Sequence, residues 1–130
     1  LSHVCRQGQR NGRRIYLSGM GADEIFADYG FGGRKFARHS NFGGLFPEDL
    51  STIFPWLSFY GSTMESYLAK EEYIAGSYGL EARYPFLDKA VVQEFLSLSP
   101  TLKNSAYKSV LHHYLETYDF PFELEVKRGF

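Results

Sequence analysis

Serine, glycine and acidic residues are grouped near the start of the chain, in the run Leu17-Ser18-Gly19-Met20-Gly21-Ala22-Asp23-Glu24. The glycines allow a tight turn between a short buried strand, residues 14–17, and a helix that begins at about Ala22. The unpaired N–H groups of a helix N-terminus suit a phosphate or another anion. Asp23 and Glu24 would repel that anion unless Mg²⁺ lay between them, bound by one or two carboxylates and by phosphate oxygens. The alternative is that both acids simply favour the first turn of the helix.

A second candidate stretch is Gly79-Leu80-Glu81-Ala82-Arg83-Tyr84-Pro85-Phe86-Leu87-Asp88. Glu81 and Arg83 lie on the same side of the backbone if it is extended, because side chains alternate across a strand. Asp88 fits as the N-cap of a helix from Lys89 to about Leu98. The structural alternatives are a Glu81–Arg83 ion pair that fixes a loop and an ordinary helix cap at Asp88.

Two further helices are predicted between these stretches. Pro47 to about Phe54 has proline and acids in its first turn, which predicts a short helix. Ser62-Thr63-Met64-Glu65 matches a capping box, and Gly79 is placed to end the helix, so Thr63 to Tyr78 is predicted to be helical. Its apolar residues recur at helical spacing, which indicates a core helix.

A last helix, Ala106 to about Thr117, is predicted to be capped by Ser105 and to carry Lys108. His112 and His113 are adjacent on it, so they point about 100° apart and are poor joint ligands for one metal ion. Lys108 by itself has the character of a solvated surface lysine. The histidines therefore do not indicate a zinc site.

Composition narrows the class of protein. The chain has 130 residues, 44% of them hydrophobic, and a net charge of −1, which gives no basic field for nucleic acid. No apolar run approaches the roughly 18 residues of a membrane-spanning helix, and no signal peptide is visible. The single Cys5 excludes an internal disulfide and fits a reducing compartment, which favours the cytoplasm. Because the chain begins with Leu1, we expect it to be a piece of a longer protein.

The two stretches, residues 17–24 and 79–88, together resemble the C-terminal synthetase domain of the glutamine-dependent asparagine synthetases. Two more features agree with this family in the same order: Lys108 after the second motif and a closing Lys-x-Gly-Phe, residues 127–130. Within the family, Gly-Ala-Asp-Glu and the Tyr before Pro-Phe-Leu-Asp resemble the divergent asparagine synthetase-related proteins. The resemblance covers nearly the whole chain from Leu17.

The resemblance implies an α/β, helix-rich fold, the C-terminal portion of an ATP-pyrophosphatase domain with a parallel sheet. It implies that ATP and Mg²⁺ activate aspartate as a β-aspartyl adenylate, which ammonia then attacks. The implied roles are nucleotide binding by Ser18, Gly19, Met20 and Gly21, metal binding by Asp23, catalysis by Lys108 and Glu81, and support of the site by Glu24, Arg83, Asp88 and Lys127. Residues 1–130 would then be a partial synthetase domain.

The sequence departs from the family pattern at two points. Met20 stands where the family usually has Glu, and methionine cannot take up a proton or usefully bind Mg²⁺. The Ser-Gly-Gly-x-Asp-Ser pyrophosphate loop and the glutaminase domain are missing from these 130 residues. The expected partners are therefore an upstream synthetase half and a glutaminase domain, in the same or a separate chain. An oligomer or a larger assembly is compatible with the sequence. The alternative function is a noncatalytic accessory or scaffolding subunit that keeps the synthetase fold.

Overall fold

A computed structural model describes residues 1–123 of the chain. The predicted Lys127 and the closing motif that contains it lie outside the described residues. The described helices and strands, in chain order, are α1 (Ser2–Arg10), β1 (Ile15–Leu17), α2 (Ala22–Phe26), β2 (Gly30–Phe31), β3 (Arg34–Lys35), α3 (Thr63–Ser77), β4 (Glu81–Arg83), α4 (Lys89–Ser97), α5 (Pro100–Lys103) and α6 (Ser109–Thr117). Short 3₁₀ turns add Leu50–Thr52, Leu57–Phe59 and Pro85–Leu87.

Strands β1 and β4 pair in parallel, with Ile15 opposite Glu81 and Leu17 opposite Arg83. Strands β2 and β3 form a separate antiparallel hairpin. The combination of helices with a small parallel sheet confirms the α/β class. Within residues 1–123, no helix combines the length and the apolar character needed to cross a membrane.

The parallel pair has one covered face and one open face. Ala82 is buried and Tyr16 is half-buried beside Cys5, which α1 contributes. On the other face, Ile15 is 59% exposed and Leu17 is 68% exposed. The prediction of a buried first strand was therefore wrong for these two side chains, because the described helices cover only one side of the sheet.

An aromatic core fixes α2. Phe26 meets Phe95 edge to face with ring centroids 4.9 Å apart, and Phe46 packs against the same Phe95 ring at 5.3 Å. The indole N–H of Trp56 donates to the backbone oxygen of Glu24 over 2.8 Å. Edge-to-face aromatic pairs add about 0.5–1.5 kcal/mol each beyond their buried area. The short helix α2 is therefore held in place by aromatic rings that are distant from it in the sequence.

Helix α3 lies where the sequence predicted it, but the predicted capping box is absent. Ser62 has a φ of 53° and its side chain does not cap the helix. The same kind of bond occurs elsewhere, since the N–H of Gly21 donates to Glu24 Oε2 over 3.1 Å at the start of α2. The Ser-x-x-Glu pattern is present in the sequence. Because the backbone at Ser62 has a positive φ, its hydroxyl is not directed toward the helix.

Of the three remaining helix predictions, the one for α4 is confirmed and the other two needed correction. Asp88 caps α4 as expected, accepting from the N–H of Ala90 over 2.8 Å. Helix α6 begins three residues later than predicted, and the Ser105 hydroxyl donates to Leu102 O instead of capping it. The helix expected over residues 47–54 is reduced to the 3₁₀ turn at Leu50–Thr52.

Lys103 is the most deeply buried cation that the structure describes, with 4% of its surface exposed. Its ammonium donates to Leu96 O over 2.8 Å and to Leu98 O over 2.6 Å. Burial lowers the pKa of Lys103. The side chain thus binds carbonyl oxygens at the C-terminal end of α4, where a helix lacks internal donors.

Candidate functional site

The two motifs meet at the carboxyl end of the parallel pair. The N–H of Ser18, which directly follows β1, donates to Arg83 O at the end of β4 over 2.9 Å. In open parallel sheets, ligands bind in the crevice beyond the carboxyl ends of the strands. The fold therefore places residues 18–21, called here the Ser18 turn, where α/β proteins usually hold ligands.

Gly21 joins the first motif to the second. It has a φ of 99°, a conformation that glycine adopts without strain. A side chain at this position would overlap Leu87, which belongs to the 3₁₀ turn Pro85–Leu87. The close approach of these two residues requires glycine at position 21.

Glu24 supports the turn from inside. It is 1% exposed, accepts from the N–H of Gly21, and also accepts from the hydroxyl of Tyr29. Burial, together with this hydrogen bond, raises the pKa of Tyr29 well above its ordinary value. The buried carboxylate of Glu24 therefore positions the turn, and its supporting role in a functional site stays a prediction.

The Ser18 turn offers fewer N–H groups to an anion than its glycines suggest. The N–H of Met20 donates to Ser18 Oγ over 3.2 Å, and the N–H groups of Ser18 and Gly21 also have acceptors. Helix α2 has only five residues, so its dipole is short. Gly19 is exposed, and nothing lies within 4 Å of the place a Cβ would occupy. The N-terminus of α2 is therefore a poor anion site by itself, and nucleotide binding by the turn stays a prediction.

Asp23 is joined to two residues from the other end of the described chain. Its Oδ1 accepts from the Tyr107 hydroxyl over 2.7 Å and lies 2.9 Å from Lys108 Nζ. The side chains of Lys108 and Asp23 are 20% and 29% exposed, so the pair is only partly open to solvent. The structure thus brings together the predicted metal ligand and the predicted catalytic lysine.

Lys108 has an unusual backbone. Its φ of 51° is left-handed, which is uncommon for a side chain with a Cβ and costs of the order of 1 kcal/mol. It is the N-cap of α6, and its carbonyl accepts from the N–H groups of Leu111 and His112. Lys108 therefore stands before the helix and not within it, at a strained position of the kind that clusters at functional sites.

Tyr107 was missed by the sequence reasoning. Its ring lies 5.6 Å from that of Phe36, just after β3, and its hydroxyl reaches Asp23. Burial and the hydrogen bond to Asp23 raise the pKa of Tyr107 well above its ordinary value, so the phenol remains a proton donor at neutral pH. No periodicity or motif marks this tyrosine, and only its position directly before Lys108 was available as a signal.

The other predicted residues lie around the second motif. Glu81 and Arg83 form an ion pair with each other, and their side chains are 59% and 56% exposed. Glu81 lies at the start of β4, opposite Ile15, and so at the other end of the strand from the Ser18 turn. This contact matches the structural alternative considered above, and the catalytic role of Glu81 stays a prediction.

An open pocket of about 450 Å³ adjoins the end of β4. Its polar lining includes Glu72, Arg83, Tyr84 and Asp88, and the Tyr84 hydroxyl donates to Glu72 over 3.0 Å. Burial and this hydrogen bond raise the pKa of Tyr84. Leu87 also lines the pocket, so the pocket begins beside the residue that packs on Gly21.

The described acidic residues near Lys108 do not form a metal site by themselves. Among residues 1–123, no group of three or more His, Cys, Asp or Glu side chains is arranged to hold a metal ion. Asp23 supplies one partly exposed carboxylate next to a cation. Mg²⁺ commonly binds through one or two carboxylates together with substrate phosphates and water. The residues therefore fit an ion that arrives with a nucleotide, and not a metal held by protein groups alone.

Comparison with known proteins identifies the family. Neither the search of curated proteins nor the search of solved structures gave a match. The family model for asparagine synthase matches residues 56–124, a region that includes the second motif and Lys108. Because this match covers more than half of the chain, the protein belongs to the asparagine synthase family.

Proposed function

We propose that this chain is part of an ATP-dependent, asparagine synthetase-like ligase that activates the side-chain carboxylate of aspartate for attack by ammonia. Membership of the family supports ligase chemistry at the family level. The observation that carries the proposal is the Asp23–Lys108 pair, 2.9 Å apart. It joins an acid of the first motif to a lysine that follows the second, as a shared nucleotide site requires.

The proposed reaction proceeds in two steps. An oxygen of the aspartate β-carboxylate attacks the α-phosphorus of ATP, and the bond to pyrophosphate breaks to give β-aspartyl adenylate. The nitrogen of ammonia then attacks the acyl carbon, AMP leaves with the former ester oxygen, and a proton is released. Asparagine, AMP and pyrophosphate are the products.

Lys108 and Asp23 have separate tasks in this scheme. Lys108 would turn its ammonium from Asp23 to the phosphates and stabilise the charge that grows on the departing pyrophosphate, where a preorganised cation is most effective. Asp23 would bind Mg²⁺, which when present neutralises phosphate charge. Glu24 would keep the Ser18 turn in place from its buried position.

We further propose that the chain adopts the ATP-pyrophosphatase fold together with an upstream half that carries the pyrophosphate loop. The open face of the parallel pair, with Ile15 and Leu17 exposed, is consistent with this, because parallel sheets are normally covered on both faces. A glutaminase domain would supply the ammonia.

A noncatalytic accessory subunit is the second candidate. Met20 favours it, since its thioether cannot exchange a proton with the reacting groups at a position where the family usually has Glu. Against it, Asp23 and Lys108 remain paired in a partly buried place, where unmatched charges would be costly.

Calorimetry of Mg²⁺-dependent ATP binding distinguishes the two functions. It would be measured on the 130-residue chain and on the upstream-extended protein, each also as Asp23→Ala and Lys108→Ala. The ligase proposal expects binding by the extended protein and weaker binding by both variants, followed by aspartate-dependent release of pyrophosphate. If the extended protein has no affinity at millimolar ATP, the ligase proposal fails and the accessory role takes its place.

A further inference from the structure

We infer that Tyr107 is a positioning residue that holds the carboxylate of Asp23 ready for a metal–phosphate ligand. The inference rests on the proposed function, because it assigns Asp23 to the metal. Its basis is the hydrogen bond from the Tyr107 hydroxyl to Asp23 Oδ1, 2.7 Å long, beside the Lys108 contact at 2.9 Å.

Both donors reach the same oxygen of Asp23. A carboxylate oxygen has two lone pairs, so it can accept from a phenol and an ammonium together. When Lys108 turns to a phosphate, the Tyr107 hydrogen bond does not have to break. Tyr107 therefore keeps the carboxylate oriented during the exchange of Lys108 for a ligand.

The ring of Tyr107 is also held by a packing contact. Phe36 lies against its ring, and the N–H of Phe36 donates to Tyr29 O over 2.8 Å. Tyr29 in turn donates to Glu24, the carboxylate that holds the Ser18 turn. Tyr107 is thus connected through packing and hydrogen bonds to the turn that leads into α2, the helix that bears Asp23.

This role predicts a selective effect of removing one hydroxyl. Tyr107→Phe keeps the ring and its contact with Phe36, so the fold is retained. Mg²⁺–pyrophosphate should bind about tenfold more weakly, the scale of one hydrogen bond to a charged group. Pyrophosphate without Mg²⁺ meets Lys108 and not a metal on Asp23, so its affinity should change by less than about twofold on the same scale.

Calorimetry of the complete protein with pyrophosphate, in the presence and absence of Mg²⁺, tests the inference. The variants are Tyr107→Phe, Asp23→Ala as the reference for full loss of the metal ligand, and Tyr73→Phe as the control, since Tyr73 is 79% exposed. Thermal unfolding of each variant without ligand provides a second readout.

A loss confined to the Mg²⁺ arm, in a variant that still unfolds in one cooperative transition, supports the positioning role, and a small drop in melting temperature is expected from the lost hydrogen bond. An equal loss in both arms would show that Tyr107 only supports the fold, and unchanged or tighter Mg²⁺–pyrophosphate binding would also overturn the inference. If the wild-type protein does not bind Mg²⁺–pyrophosphate, the proposed function fails. If it binds and Asp23→Ala abolishes binding while Tyr107→Phe does not weaken it, only the role of Tyr107 fails.

Discussion

Asp23 and Asp28 lie five residues apart, yet the structure uses them in opposite ways. Asp28 is fully buried and accepts five hydrogen bonds, from Ser40 Oγ, the backbone N–H and side-chain amide of Asn41, the N–H of Phe42 and Ser58 Oγ. All of these donors are neutral. Asp23 is partly exposed; it accepts from the phenol of Tyr107 and lies beside the ammonium of Lys108.

The difference separates an acid that builds the fold from one that can act on a ligand. The donors around Asp28 are fixed by the loop they close, and no incoming molecule can replace them without opening that loop. The ammonium beside Asp23 sits on a long side chain that a phosphate can attract. The fixed neutral donors around Asp28 indicate a structural role, whereas the exchangeable ammonium beside Asp23 indicates a ligand-binding site.

The largest expected effect comes from Asp28. Asp28→Ala leaves several buried donors without an acceptor, and we expect it to lower the free energy of unfolding by about 4 kcal/mol. Urea unfolding followed by circular dichroism measures this. Asp49→Ala is the control, because Asp49 is exposed and its side chain accepts from Ser51 at the start of its own 3₁₀ turn. A stable, fully folded Asp28→Ala would contradict the comparison.

Gly21→Ala should have the next largest effect. A left-handed backbone and overlap with Leu87 together should cost about 2–3 kcal/mol of unfolding free energy. Gly19→Ala is matched to it within the same turn, where space is open, and should be nearly neutral. Chemical denaturation compares the two, and equal stability of both variants would show that the contact between the motifs is unimportant.

Replacing Lys108 with glycine should weaken ligand binding much more than it lowers stability. Lys108→Gly relieves the left-handed strain while removing the ammonium, so its stability should stay within about 1 kcal/mol of the wild type. Binding of Mg²⁺–ATP should fall about tenfold or more, as expected for the loss of a charged contact. Thermal unfolding and calorimetry measure the two quantities. Lys108→Ala keeps the strain and should be less stable than Lys108→Gly, and the reverse order would refute the assignment of strain.

The smallest effect concerns alkaline pH. The pKa of Tyr29 is raised above its ordinary value of 10.0, chiefly by burial and then by Glu24, so the folded state keeps a proton that the unfolded state loses. The phenol's contribution to stability is therefore complete below pH 10.0 and is lost as the pH rises toward the folded pKa. Tyr29→Phe should flatten the fall in stability between about pH 9 and pH 11, measured by urea unfolding. Tyr73→Phe should keep the wild-type slope, and an unchanged slope in Tyr29→Phe would contradict the prediction.

Local patterns predicted the elements better than they predicted the contacts between them. The glycine turn, the start of α2, the length of α3 and the Asp88 cap all follow from residues close in sequence, and the structure confirms them. The pairing of Asp23 with Lys108 could be expected only through the family resemblance. Tyr107 and Asp28 were missed because their partners depend on long-range packing, and an aspartate with buried neutral donors looks like any other in the sequence.

The exposure of β1 was predicted wrongly for a related reason. Ile15 and Leu17 are apolar and β-forming, and such residues in a short strand usually face a core. Whether they are covered depends on which elements lie on each face, which the strand's own residues do not specify. The prediction of a helix over residues 47–54 was also wrong. The structure forms only a 3₁₀ turn there, which packs beside the aromatic core.

Lys103 gives the protein an internal reporter for chemical labelling. An amine that is 4% exposed and bound to two carbonyl oxygens should react slowly with acylating reagents, whereas the exposed amines of Lys70 and Lys89 should react quickly. Peptide mass spectrometry can follow each lysine separately. A variant that loses nucleotide affinity but leaves Lys103 unmodified has an intact helical scaffold, so one labelling experiment can tell a damaged site from a damaged fold.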